Sequence, residues 1–362
     1  MMNVVEHICR RLPVVTTLRY SQTRNTAEDI VLNDMLYADG VRYAEEKGCL
    51  PGTRKSVLRE ICDVLNNPAE DAPRVCLLTG VAGSGKSAVA HSIARLFDGQ
   101  ERLGSSYCFA STGIARRNPQ NLFSTIARDL SDQCSVQIHP LGSREKQPSA
   151  SHVDVAVGTS QAAHRRTQRA PPCGRPLVIV IDALDESGNA DDREQLLDTL
   201  SRQIAEGNLP TNLPFLIATR PENDIIDALL SGPQVVRKHL GDVAEAVIDK
   251  DIEKFIHHSL HQYIELGSSW PNGGWCPLLV EHSQHLFQWA STACKFIRVR
   301  RATGLDRCER LQILLDSSNS EGVHPRDKLY RTILAQQFPL HVAQRRFHDV
   351  MAVSLLLTSR CH

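Results

Sequence analysis

Nowhere in these 362 residues does an apolar run reach bilayer-crossing length, and Met1 to Tyr20 lack the apolar stretch of a secretory leader. Membrane-embedded and exported classes are therefore set aside, and a soluble, cytoplasmic protein without a membrane span is expected. A surplus of charge is also missing, with Lys+Arg 41 against Asp+Glu 41. No whole-chain field recruits nucleic acid or an anionic surface, so partners have to be argued from individual sites. Eleven cysteines include no C-x-x-C pair, and their number is odd. Most sit inside apolar segments such as Val75-Cys76-Leu77 and Tyr107-Cys108-Phe109, which excludes a disulfide framework and suits reduced core thiols. Two histidine pairs, His257 with His261 and His282 with His285, have zinc-compatible spacing but no accompanying Cys or carboxylate constellation, so polar helix faces are expected. Trp270, Trp275 and Trp289 are expected to fill a helical core.

Against these absences one stretch stands out, Leu77-Leu78-Thr79-Gly80-Val81-Ala82-Gly83-Ser84-Gly85-Lys86-Ser87. It fits G-x-x-x-x-G-K-[ST], and its setting is the one this motif requires. Arg74 to Thr79 is an apolar run suited to a buried parallel strand, and Ala90, Ile93, Ala94 and Phe97 follow at helical spacing. Glycines let the loop curl so that successive N–H groups face phosphate oxygens, with the following helix dipole adding to the field. Gly80, Val81, Ala82, Gly83, Ser84, Gly85, Lys86, Ser87 and Ala88 are thus candidate nucleotide-binding residues. Lys86 would reach the β/γ-phosphates and the Ser87 hydroxyl would ligate Mg²⁺. The alternative reading is a glycine-rich turn before a helix.

Pro176 to Glu186, PLVIVIDALDE, is a second apolar strand ending in acids. Asp182 would hold Mg²⁺, while Glu186 or Asp185 could polarise an attacking water. For Asp185 and Glu186 the plainer reading is an acidic cap on a helix N-terminus. Arg220 closes a third strand, Phe215 to Thr219, where a guanidinium could sense the γ-phosphate. Its plainer reading is a surface arginine paired with Glu222.

Around these motifs strands alternate with helices. Strands are expected at Ser105–Ala110 and Val235–Leu240, and helices at Val57–Leu65, Ser87–Phe97, Leu122–Leu130, Arg193–Ile204 and Asn223–Leu230, the pattern of a doubly wound parallel sheet. A further helix is expected from Thr26 through Glu46. Val136 to Arg175 has no periodicity and reads as a disordered insert or a gene-model artefact. Beyond Asp242 the period turns helical, at Val247–Leu266, Leu278–Val299, Cys308–Leu315, Leu329–Phe338 and Val350–Leu357. No internal repeat is visible there.

With these residues in place the chain resembles a NACHT domain of the STAND class of signalling NTPases, in the form common in fungi and similar to the nephrocystin-like N-terminal domain. The carrying motifs are CLPGTR at Cys49–Arg54, LLTGVAGSGKSAVA at Leu77–Ala90, LVIVIDALDE at Leu177–Glu186 and FLIATRPE at Phe215–Glu222. HLFQWASTACKFI at His285–Ile297 is similar to the family's helical lid, and DKLYRTIL at Asp327–Leu334 to the start of its winged-helix-like region. The resemblance implies an α/β P-loop NTPase fold, a parallel sheet with flanking helices, followed by lid and winged-helix-like parts. The domains would be a helical segment 1–48, a nucleotide domain 49–242 containing the insert 136–175, a lid 243–316, and a winged-helix start 317–362 that stops before the family's repeats.

It further implies that Lys86 and Ser87 contact phosphate and Mg²⁺, that Asp182 is the Mg²⁺ acid, that Glu186 with Asp185 serve hydrolysis, and that Arg220 is a sensor. ATP and ADP, or their guanine counterparts, with Mg²⁺ would drive a switch that self-associates in the triphosphate state, with effector and sensor domains supplied elsewhere. A small-molecule kinase or a scaffold without turnover are the alternatives. Two departures stand, one at His285, where relatives usually carry glycine, and one at Val136–Arg175, which replaces what should be a helix and the approach to the second apolar strand.

Overall fold

Five short apolar runs become five parallel strands. The computed structural model describes residues 37–38, 42–109, 119–136, 176–206, 209–230, 232, 234–264, 274–298, 306–316, 329–331 and 333–334. The strands are β1 (Val75–Thr79), β2 (Leu103–Cys108), β3 (Val178–Asp182), β4 (Phe215–Thr219) and β5 (Val235–His239), in the spatial order β2-β3-β4-β1-β5. Every residue of β1 to β4 is buried. Helices on both faces of a parallel sheet are what allow such continuous apolar strands.

Side chains alternate across the sheet, so each strand feeds two cores. Val75, Leu77, Ile179, Ile181 and Ile217 point to one face. There they meet α3 (Gln120–Val136), α4 (Ala190–Ala205) and α5 (Asn223–Leu229). Cys76, Leu78, Val180, Leu216 and Ala218 point to the other, against α1 (Lys55–Leu65) and α2 (Lys86–Gly99). The apolar stripe of α1, Val57, Ile61 and Leu65, is spaced for one helix face and is wholly used there. Each such buried aliphatic side chain contributes about 1.5–3 kcal/mol.

After β5 the chain is helical: α6 (Glu245–Ile264), α7 (Trp275–Ser283), α8 (Phe287–Arg298) and α9 (Arg307–Asp316). Ile248, Ile252, Ile256 and Leu260 of α6 form the spine of a third core. Trp275 and Trp289 are buried in it, as expected, whereas Trp270 lies outside the described residues. Among the described residues no helix is long and apolar enough to cross a membrane.

Two expectations need correction. The expected single helix Leu278–Val299 is two helices, because Gln284 (φ 48°) and His285 (φ 63°) both turn left-handed and break the hydrogen-bond ladder between α7 and α8. The expected helix Thr26–Glu46 is not continued in its described end: residues 37–38 and 42–44 are irregular, and Glu45–Lys47 is one 3₁₀ turn closed by Gly48. Its earlier part, the insert after Val136, the chain after Leu334 and the stretch Val350–Leu357 lie outside the described residues.

Candidate functional site

The strands of the sheet run parallel, so their carboxyl ends share one edge, and in open α/β sheets that edge is where ligands bind. β1 delivers Gly80–Ser87 there, β3 delivers Asp182–Glu186, and β4 delivers Arg220. All the residues singled out in the sequence thus meet along one rim.

The loop's shape follows from its glycines. Gly83 has φ 81° and Gly85 φ 98°, conformations that residues with a Cβ rarely adopt, and Gly85 is the N-cap of α2. At Gly80 an added Cβ would stand 2.8 Å from the Ser84 hydroxyl, so no side chain fits there without displacement. Lys86 folds back over the loop, its Nζ donating to the carbonyls of Gly80 (2.8 Å) and Val81 (3.1 Å). Burial pulls the Lys86 ammonium below its ordinary pKa, and the nearby Asp185 carboxylate pulls it back up. The Ser87 hydroxyl donates to Asp182 Oδ1 at 3.2 Å. Asp182 is 3% exposed, and burial raises its pKa against the opposing hydrogen bonds from Ser87 and from Cys108 Sγ (3.5 Å). Serine and carboxylate side by side are the hard oxygen donors that Mg²⁺ prefers, so this pair suits the ion.

Beyond Asp182 the chain turns sharply at Ala183 (φ 56°), which aims a 3₁₀ turn, Leu184–Glu186, along the rim. Asp185 accepts from the Arg220 backbone N–H (3.0 Å) and pairs with Arg220 Nε (3.0 Å). Glu186 lies 3.8 Å from Arg220 Nη2 and is a third exposed. The capping alternative for these acids does not hold, since α4 is capped by Asn189, whose side chain accepts from Asp192 N–H at 2.8 Å. Nor is Arg220 paired with Glu222, which binds Arg193 instead at 2.8 Å.

A cavity of about 500 Å³ opens beside the loop. Gly83, Gly85, Lys86, Ser87 and Ala88 form its floor, the 46–54 segment one wall, and Phe287, Gln288, Ser291 and Lys295 of α8 the roof. That volume falls within the range of ordinary ligand pockets, about 300–1,000 Å³. The roof rests on the loop itself, with Gln288 N–H donating to the Gly83 carbonyl at 3.1 Å. A Cβ on Gly83 would come 2.7 Å from Gln288 Cβ, so the missing side chain is what lets α8 sit down.

Sequence reasoning missed Arg54 and the α8 residues of this cavity. Arg54 was visible as the end of a Pro-Gly turn, but its left-handed backbone (φ 53°) and burial were not. The histidine reading also needs amendment. His257 is met by Glu253 from its own helix and Cys276 from α7, their ligand atoms within 4.8 Å of one another, whereas His261 is not part of that group.

Residues 52–220 match the family model described as Nephrocystin 3, N-terminal. No curated protein matches the chain. Among solved structures, one titled "Structure of C. elegans PCH-2" aligns at 12% identity and a TM-score of 0.34, over 78% of this chain and 69% of that one. Residues 52–220 are thus similar to the nephrocystin 3 N-terminal family, and the parallel sheet with the glycine loop at its edge matches a P-loop NTPase-like fold.

Proposed function

We propose that the chain binds a purine nucleoside triphosphate with Mg²⁺, hydrolyses it slowly, and uses the change of ligand to move its helical lid. Self-association in the triphosphate state would follow, with effector and sensor parts supplied by other domains or proteins. The observation that carries this reading is the glycine loop lining a cavity roofed by a helix that touches it, with Ser87 of the loop bonded to Asp182 at the end of β3. A ligand can shift such an equilibrium only through contacts that differ between the two lid positions, and α8 is placed to make them.

Mg²⁺, held by Ser87 and Asp182, would neutralise charge on the phosphate oxygens. Lys86 would exchange its two loop carbonyls for phosphate oxygens and hold the chain in place. Of the paired acids, Glu186 is the open one and would take the proton from an attacking water. Asp185, with its side chain 4% exposed and occupied by Arg220, would instead aim that guanidinium. Water as acceptor distinguishes this reading from a small-molecule kinase.

The test is release of inorganic phosphate from ATP or GTP by the purified chain. Lys86→Ala should abolish binding, and Glu186→Gln should leave binding intact while slowing release by about 100-fold or more. Tight binding without release would reduce the proposal to a nucleotide-dependent scaffold, and phosphate appearing on a metabolite would sink it.

A further inference from the structure

Arg54 carries a charge that its surroundings do not answer. It is 4% exposed, yet only its Nη2 has a hydrogen-bond partner, donating to the Ser84 carbonyl at 2.8 Å. Nε and Nη1 are buried without a partner. The nearby acid, Asp251, spends Oδ2 on Arg54's own backbone N–H at 2.8 Å and makes no ion pair with the guanidinium. The Phe287 ring and the Ser84 carbonyl answer part of that charge, but donors left unmet on a buried cation still cost free energy. Desolvation accordingly pulls the Arg54 pKa down. A site that keeps such a group must recover the cost from something that is bound there.

The place of the side chain says what. Arg54 lines the cavity together with Gly83, Gly85, Lys86 and Ser87, and its bond to Ser84 ties it to the phosphate loop. An arginine's planar fork of donors matches carboxylate and phosphate oxygens, and beside a phosphate-type loop the phosphate is the ligand it suits. We propose that Arg54 is an anion-binding residue of this cavity, donating through Nε and Nη1 to a phosphoryl group of the bound nucleotide. This rests on the nucleotide reading above and adds a third cationic contact, from outside the two strand-end motifs.

The same residue touches both lid helices. Its guanidinium carbon lies 4.8 Å from the centroid of the Phe287 ring on α8, and its backbone N–H is held by Asp251 on α6. Phosphate on one side of the guanidinium and Phe287 on the other make Arg54 the direct physical link between ligand and lid.

Calorimetric titration of the full chain with ADP, adenosine and inorganic pyrophosphate tests this, comparing wild type, Arg54→Gln, Arg54→Lys and Lys86→Ala. Arg54→Gln should weaken ADP and pyrophosphate by about 10- to 100-fold and leave adenosine unchanged; Arg54→Lys should recover part of the loss. Should Arg54→Gln fail to fold, the lysine variant, which keeps the stem and the charge, should still show a loss of about tenfold. Equal ADP affinity in wild type and both Arg54 variants, with Lys86→Ala inactive, would overturn the inference while sparing the nucleotide reading. Wild type that binds none of the three overturns both. A loss confined to pyrophosphate overturns the nucleotide as the source of the phosphate, and a loss that includes adenosine overturns phosphate as the ligand.

Discussion

The two halves of this molecule hold the same cavity by different means. The sheet half fixes its residues with strands buried on both faces, so Lys86, Asp182 and Arg220 project from a frame that cannot shift without disturbing two cores at once. The helical half has one core of its own. It reaches the cavity through a short set of exchangeable contacts, Arg54 on Phe287, Asp251 on the Arg54 backbone, and Gln288 on Gly83. Under the proposed switch the frame would hold phosphates still, and the roof, resting on a few polar and stacking contacts, would lift. Ligand-gated elements are drawn from the less stable end of a structure for this reason.

Matched truncations give the largest effect and can break the comparison outright. Leu77 and Ile297 are both fully buried, in the sheet and in α8 respectively. Alanine at either should cost about 2–5 kcal/mol. If the halves differ as argued, Leu77→Ala lowers the main melting transition and removes nucleotide binding. Ile297→Ala instead splits off an early transition that leaves the sheet folded. Trp275 and Trp289 are buried in the helical core, so their fluorescence reports the helical half while far-ultraviolet circular dichroism reports the whole. Coincident transitions in both variants would mean the halves are one cooperative unit.

Acid should act on the frame next. His91 on α2 is buried, its Nδ1 accepting from Ala44 N–H at 3.0 Å, and burial lowers its pKa from 6.5 to about 4 with Lys47 adding to the shift. Folding therefore requires a neutral ring. Its contribution is whole above about pH 6.5, where the unfolded ring is neutral too, and is lost as the pH falls toward 4. The total is about 3 kcal/mol, from 1.36 kcal/mol per pKa unit. Glu46 favours the charged ring, and Asp182, whose raised pKa favours proton uptake by the folded state, works against the loss on acidification. Subtracting the pH-stability curve of His91→Gln from that of wild type isolates the histidine. A difference that stays flat between pH 7 and 4 would remove it from the account.

How much of this was legible beforehand follows the same division. Strands covered on both faces must be apolar at every position, so β1 and β4 announced themselves as continuous runs and were placed within about a residue, while β3 occupies only Val178–Asp182 of the expected run Pro176–Glu186. Lys86, Ser87 and Asp182 were legible because backbone geometry and ion chemistry restrict which residues can stand at those places. The Asp185 and Arg220 contact was implied only by both residues ending strands, which does not say which acid the arginine takes. Between α7 and α8, helical spacing runs on through Ser283, Gln284 and His285, so nothing in the period marked the break. Arg54 escaped as a site residue because what sets it apart is burial with unmet donors, which no local pattern records. Cys276 escaped as a neighbour of His257 because the two lie on separate helices.

The seat of the roof offers a smaller effect. Gly83→Val puts a β-branched residue at φ 81° and its Cβ against Gln288. Strain and clash together should cost about 1–3 kcal/mol, and the clash is relieved if α8 lifts. The expected outcome is faster proteolysis of the helical half, with tryptophan emission shifted to the red, while the sheet keeps its melting temperature. Unchanged proteolysis would place the resting lid away from the loop.

The smallest effect is at His285, where the resemblance led to an expectation of glycine and the backbone is left-handed. At φ 63° a glycine bears no penalty, whereas a residue with a Cβ gives up about 1 kcal/mol. The imidazole recovers some of that through Asp249, 2.7 Å from Nδ1, with Glu245 3.6 Å from Nε2. Both contacts reach from α7–α8 back to α6, and both are partly exposed, so together they are worth no more than about 1 kcal/mol. Relief and loss then nearly cancel, and His285→Gly should change lid stability by less than about 1 kcal/mol. Asp249→Ala alone should destabilise it by about the value of the hydrogen bond, and in the His285→Gly background should cost nothing further. That non-additivity, read from tryptophan-detected melting, separates a histidine that anchors the lid from one that the turn merely tolerates. Additive effects would assign Asp249 a different partner and leave the left-handed turn as uncompensated strain.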